Sequence, residues 1–381
     1  MHIALLTYST KPRGGVVHTL ALAEALAARG NDVAVWTLGR GADTAFFRPV
    51  RPEVRVRVVP FAARDGEGVG ERIERSIDVM SAALDTDADV VHAQDCISAN
   101  AALRRGIPVL RTVHHLDAFT TPQLVACHDR AVREPVALLS VSAAVSAEVE
   151  GLYGLRPHVI PNGVDASRFA AAAGPDAAPA RDRWRSELGD YVLALGGIEP
   201  RKGSIDLLEG FARLRASHPC LRLVFGGGET LFDYRDYRAA FDARAAELGI
   251  VPTVLGTVDD DALPSLVAAA RVLGFVSTKE GFGLAAMEAL AAGTTVVARD
   301  LPVIREVFGD AVLYASTPEE IAFRIGSALT ASGDVDRDAG RRLARAHTWD
   351  AAARAHEAFY RDVIGQTSSS GTAAHAPART R

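Results

Sequence analysis

Short apolar runs separated by stretches of helical period are the feature that most limits what this chain can become. In the first half the runs cover residues 3–7, 33–37, 54–59, 90–92, 109–113 and 137–141. A second series follows at 191–196, 221–225, 253–255, 272–276 and 295–298. Segments with helical spacing lie between them, notably 17–28 and 70–84. A strand that is apolar on both faces has to be covered on both, and strands that alternate with helices pair in parallel. The pattern predicts an α/β protein with two doubly wound domains in tandem. Ligands are then expected at the carboxyl ends of the strands.

The boundaries follow from composition. Residues 1–165 form the first domain, closed by 157–161, and 189–347 the second. Between them, 166–188 is read as a linker, because 170–182 is rich in Ala, Pro, Gly and Asp. Residues 348–364 read as a last helix, and 365–381, with three consecutive serines and few apolar groups, as a disordered tail.

Bulk properties exclude several classes. A chain of 381 residues suits two domains, and 48% hydrophobic with 23% charged residues is ordinary for a globular protein. A net charge of −5 argues against nucleic acid as a partner, since phosphate backbones need a basic surface. Cys96, Cys127 and Cys220 are odd in number and widely spaced, which suits reduced thiols in the cytoplasm better than disulfides or a zinc site. The chain enters its first strand with no basic region or cleavage site, and no apolar run is long enough to span a bilayer.

Chemistry concentrates around Glu280-Gly281-Phe282-Gly283-Leu284-Ala285-Ala286-Met287-Glu288. Residues 284–292 show no polar face, so this helix should be buried, and Gly293 suits the left-handed position after its last turn. Glu288 is out of place there unless a ligand or a buried partner receives it. Glu280 precedes the helix start, where free N–H groups and the dipole favour anions. Two such carboxylates around a phosphate-friendly helix end suggest a sugar-nucleotide site. Eight helical residues span about 12 Å, more than the roughly 6.5–9.5 Å between the carboxyls of an inverting hydrolase, so the pair reads as two ligand contacts. Arg201-Lys202-Gly203, after one strand and before a helix, suits neutralisation of a diphosphate. Gly15 lets the backbone approach a phosphate from the first domain, although a Gly-Gly turn also serves as a plain connection. His114 should emerge at the carboxyl edge of its sheet. It and His115 alternate in direction along the strand, which argues against a shared metal ion. Asp259-Asp260-Asp261 reads as a helix start.

The E-x7-E spacing resembles the signature of the retaining family-4 glycosyltransferases (glycosyltransferase group 1), which have the GT-B fold of two Rossmann-like domains facing each other. Gly14-Gly15, Arg29-Gly30-Asn31-Asp32-Val33, Thr112-Val113-His114, Val159-Ile160-Pro161-Asn162-Gly163-Val164-Asp165 with Phe169, Arg201-Lys202-Gly203 and Phe225-Gly226-Gly227-Gly228-Glu229 resemble further family segments in the right order. The resemblance implies transfer of a sugar from a nucleotide donor, UDP- or GDP-linked, with no metal or other cofactor. It implies that His114, Arg201, Lys202 and Glu280 act at the reacting sugar and diphosphate. Gly15, Gly281, Phe282, Gly283, Leu284 and Glu288 would hold the donor, with Glu288 on the ribose. It also implies a last helix that crosses back to the first domain, and an acceptor that is a small molecule, a lipid-linked molecule or a glycan, which leaves peripheral membrane contact open. The chain departs from the pattern at Gly197, where the family usually has Arg, and at Val276 and Thr295, where it usually has Pro. Loss of that Arg motivates one alternative, a non-catalytic nucleotide-sugar binding protein, and the shared two-domain fold another, a nucleotide-sugar epimerase or a phosphorylase.

Overall fold

The structure is a computed structural model that describes residues 1–62, 64–117, 119–228, 234–330 and 336–372, with side chains up to residue 366. The chain divides into two compact units, Met1–Pro161 with Trp349–Arg381, and Asn162–Thr348.

The first unit is built on a seven-stranded sheet of β1 (His2–Leu6), β2 (Asp32–Arg40), β3 (Val54–Phe61), β4 (Val90–Ala93), β5 (Val109–Val113), β6 (Ala137–Ser140) and β7 (His158–Val159). Their order is β3-β2-β1-β4-β5-β6-β7, and every pairing is parallel. The second unit holds β8 (Tyr191–Leu195), β9 (Arg222–Gly226), β10 (Thr253–Gly256), β11 (Val272–Phe275), β12 (Thr295–Arg299) and β13 (Leu313–Ala315). These run in the order β10-β9-β8-β11-β12-β13, again all parallel. Both expected sheets are present; β7 and β13 were missed because they are only two and three residues long.

In each sheet the strand order reverses beside the first strand of the unit, between β1 and β4 and between β8 and β11. The crossover helices on either side of such a point diverge, which opens a crevice at the carboxyl edge. Core residues follow the apolar runs: Ile3, Leu5, Leu20 and Val35 in the first unit, and Val192, Leu207, Phe225 and Val272 in the second.

Two expectations need correction. Residues 166–188 are not a linker: Ala166–Ala173 and Ala178–Leu188 are helices of the second unit, anchored by buried Phe169 and Leu188. The alanines that suggested a loose connection are strong helix formers. The last helix, Trp349–Thr372, also runs into the expected tail, and residues 373–381 lie outside the described residues. That helix belongs to the first unit, where Tyr360 is fully buried and its hydroxyl lies 2.7 Å from His92 Nδ1. Tyr360→Phe would strip His92 of this partner inside the core, so thermal denaturation should show a loss of about 1–3 kcal/mol.

Candidate active site

In the second unit the switch point is lined by backbone before it is lined by side chains. Gly196, at the end of β8, has φ +121°, and an added Cβ at Gly227 would sit 2.3 Å from the Gly196 backbone. The loops after β8 and β9 therefore lie against each other main chain to main chain. Gly203 has φ +63°, and a Cβ there would come within 2.4 Å of the Val276 carbonyl oxygen. Only glycine lets the helix Ser204–Leu214 start this close to β11. Its N-terminus borders a cleft lined by Gly196, Gly197, Lys202, Ser204, Phe275 and Ser277.

Three of the expected site residues meet at this cleft. Lys202 Nζ donates to Glu280 Oε1 at 2.7 Å, and Arg201 Nη1 lies 3.4 Å from the same oxygen. Arg201 Nη1 also donates to the Lys279 carbonyl at 3.2 Å, and the Thr278 amide to the Arg201 carbonyl at 2.8 Å. The loop after β8 is thereby stitched to the loop after β11. Burial alone would raise the Glu280 pKa; Lys202 and Arg201, with a hydrogen bond from Ser277, outweigh it and hold it at about 2. Glu280 is thus an anion at neutral pH, with two cations in contact.

Gly281, Phe282 and Gly283 connect this centre to the buried helix Leu284–Ala291. Gly283 has φ +99°, and a Cβ on it would meet the Phe308 ring at 2.9 Å. Phe282 is buried and its ring stands edge-on to His347 at 5.7 Å, while Leu284 is half-buried. Glu288 follows one turn further on. Its carboxyl makes no hydrogen bond or ion pair among the described residues, and desolvation pushes its pKa up to about 8. Arg168 opposes that rise, while Asp260 and Asp165 add to it. Arg168 itself pairs with Asp260 Oδ2 at 2.8 Å. Asp260, read from sequence as part of a helix start, is therefore tied to the helix Ala166–Ala173. Arg168 was missed because it fell in the supposed linker.

Gly197 shows why the family's Arg is absent. A Cβ at this position would lie 2.8 Å from the Gly228 carbonyl oxygen and 2.9 Å from Glu199 Oε1. Buried Glu199 occupies the space that a side chain at 197 would take. Glu229, which resembled the end of a nucleotide-side loop, lies outside the described residues.

Gly15 and His114 belong to the first unit, at its own switch point. A Cβ on Gly15 would rest at 3.7 Å on the His114 ring, an ordinary contact. His114 Nε2 lies 3.1 Å from Gln94 Oε1, and Gln94 Nε2 lies 3.3 Å from His92 Nε2. Thr112 Oγ1 also reaches His92 Nε2, at 2.7 Å. One proton arrangement satisfies all of these contacts: His114 donates through Nε2, His92 accepts at Nε2, and His92 Nδ1–H bonds to Tyr360. Burial, with His18, Arg111, His115 and His92 nearby, holds the His114 pKa well below its usual value, so the ring is neutral at pH 7. His115 turns away from this set, with Nε2 3.0 Å from Asp117 Oδ2. Gln94 escaped the sequence reading, yet it is the first residue past β4, at the carboxyl edge of the sheet.

Comparison with known proteins places this geometry in a class. Residues 12–168 match the family model for Glycosyltransferase Family 4, and 181–344 that for Glycosyl transferases group 1. The chain belongs to the family-4 glycosyltransferases: it is a retaining, nucleotide-sugar-dependent glycosyltransferase of the GT-B fold. It is 30% identical over 337 residues to the D-inositol 3-phosphate glycosyltransferase of Stackebrandtia nassauensis, covering 78% of this chain and 75% of that one. It is 29% identical to the glycogen synthase of Mycobacterium tuberculosis (strain CDC 1551 / Oshkosh), covering 83% and 80%. Among solved structures it is similar to Anabaena HepE in complex with UDP and glucose, with a TM-score of 0.70 and 20% identity over 98% of this chain and 100% of that one. No helix among the described residues is long and apolar enough to cross a membrane.

The raised pKa of Glu288 has a consequence for stability. Because the folded chain binds this proton more tightly than the unfolded chain, stability falls as pH rises from about 4.5 toward about 8. Glu288→Gln removes that term. Its melting temperature should therefore drop less than the wild type's between pH 5 and pH 9. Gly197→Arg, which would insert a side chain against the Gly228 carbonyl, should cost about 1–3 kcal/mol in denaturant unfolding instead of restoring a phosphate contact.

Proposed function

We propose that the second unit binds a UDP-sugar through Arg201, Lys202 and the N-terminus of the helix Ser204–Leu214. The observation that carries this reading is the pair of cations on Glu280 at the β8–β11 switch point. A departing nucleoside diphosphate needs fixed positive charge at its oxygens, and this charge is already oriented. Lys202 has further N–H donors beyond the one given to Glu280, so the ammonium can serve the carboxylate and a phosphate together. Glu280, ionised, accepts hydrogen bonds from hydroxyls of the donor sugar. Gly281, Phe282, Gly283 and Leu284 line that approach, and Glu288, with no partner of its own among the described residues, receives the ribose hydroxyls.

The first unit supplies the acceptor side, with Gly15 as a close backbone approach to the diphosphate. His114 is neutral and donates through Nε2 to Gln94, which leaves Nδ1 as an acceptor for a sugar hydroxyl. The reaction exchanges the diphosphate for the acceptor hydroxyl on the same face of the sugar, with Lys202 and Arg201 taking up the developing negative charge. Bound nucleotide in HepE supports uridine as the base, and GDP is the competing choice. No metal is called on, since the two side chains supply the charge. Cys96, Cys127 and Cys220 are free thiols, although the Cys96 and Cys127 side chains touch, which suits a reducing, cytoplasmic setting.

Calorimetric titration with UDP-, GDP- and ADP-sugars tests this. Binding confined to one base is expected, and Lys202→Ala should weaken it about tenfold to a hundredfold, the worth of a hydrogen bond to a charged group. Donor binding unchanged in Lys202→Ala would overturn the assignment.

A further inference from the structure

Three arginines gather at the carboxyl edge of the first sheet without a carboxylate to receive them. Arg13 precedes the helix Gly14–Ala28, Arg40 ends β2, and Arg72 lies in the first turns of the helix Val69–Ala83. Tyr8, just past β1, stands among them: Arg13 Nη1 donates to its hydroxyl at 2.8 Å, and the Arg13 and Arg40 guanidiniums lie 5.8 and 5.7 Å from its ring centre. Arg40 also lies 5.3 Å from the Phe61 ring at the end of β3. Arg40 and Arg72 make no side-chain hydrogen bond or ion pair among the described residues, and Arg40 Nε is buried without a partner.

The acidic groups nearby are already committed. Glu67, which faces Arg72, is paired with Arg75. Asp95 accepts from the Ser98 and Tyr8 amides. Asp43 holds Lys11 and Thr10, and Glu71 accepts from the Gly68 amide. Burial pulls the Arg40 pKa down to about 10; Arg72 and Arg13 pull in the same direction, and Tyr8 and Asp95 oppose them only in part. Arg40 nevertheless stays charged at neutral pH. Half-buried like charges held together this way are unfavourable unless something neutralises them.

We propose that Arg13, Arg40 and Arg72, with the Tyr8 hydroxyl, bind a phosphate group carried by the acceptor. This rests on the acceptor role given to the first unit, and adds a chemical class to it. A phosphate dianion matches three guanidiniums better than a carboxylate does, since it carries two charges and more oxygens for forked N–H pairs. The N-terminus of the helix Gly14–Ala28 opens beside Arg13 and contributes positive potential. An acceptor without this charge would leave the cluster unpaid and bind poorly.

The test is a titration of the full chain with sodium phosphate and, separately, sodium acetate at matched ionic strength, read by calorimetry and by melting temperature. It is run in a Lys202→Ala background, which removes a main anion contact of the second unit. Phosphate is expected to bind and to raise the melting temperature, with acetate at least tenfold weaker. Arg40→Gln and Arg72→Gln should each weaken phosphate at least tenfold, while Arg40→Lys, which keeps the charge but loses the forked donor pair, should weaken it by less, a readout that remains if Arg40→Gln folds poorly. Phosphate binding that is absent, unchanged by Arg72→Gln and by Arg40→Gln alike, or matched by acetate would overturn the proposal. Failure of the donor assignment reads differently, as UDP-sugar binding that ignores Lys202 in an otherwise wild-type chain.

Discussion

The contact of Glu280 with Lys202 and Arg201 is the interaction on which the second unit's site depends. It joins two loops that leave adjacent strands of the sheet, and it fixes the cations that a diphosphate would meet. A buried carboxylate with one cation would be a local ion pair of uncertain net worth. With two cations the centre keeps a surplus of positive charge beside a helix N-terminus. Glu280 thereby sets the positions of Arg201 and Lys202 without cancelling them. The glycines around it serve the same end, because Gly196, Gly203 and Gly283 keep side chains out of the space where these loops converge.

The two carboxylates eight residues apart have opposite environments. Glu280 is held ionised by its neighbours, whereas Glu288 lies on an apolar helix with a proton retained to about pH 8. Both effects begin with burial; the difference is the presence or absence of a contacting cation. Arg168 reaches Glu288 only through space and is itself engaged by Asp260. A hydroxyl-rich ligand can satisfy Glu288 in a way that no described side chain does.

Much of this was legible in the residues. Strand positions followed from apolar runs, since a strand covered on both faces leaves little room for polar side chains. The cleft residues Lys202, Gly203 and Glu280 announced themselves because charge and glycine at a strand-to-helix turn have few other uses. Other parts were hidden for physical reasons. Ala-rich helices at 166–173 and 178–188 look like linker by composition, and their packing depends on single buried residues such as Phe169. Gln94 gains its meaning from His92, on β4, and His114, just past the neighbouring β5. The cluster of Arg13, Arg40 and Arg72 is spread over sixty residues of chain and comes together only through the strand order β3-β2-β1.

The seating of the last helix also governs how the chain is assembled. Trp349, Ala353 and Tyr360 complete a core whose other members, Ile3, Leu20 and Val35, come from the opening strands and helix. During synthesis those first residues emerge early, but the piece that covers them is made only after the whole of Asn162–Thr348. The second unit is one continuous stretch and can fold as soon as it leaves the ribosome. The first unit must wait with an apolar flank uncovered, and becomes complete last although it is made first. Nascent chains stalled before residue 349 would therefore expose a sticky surface, the kind that chaperones recognise.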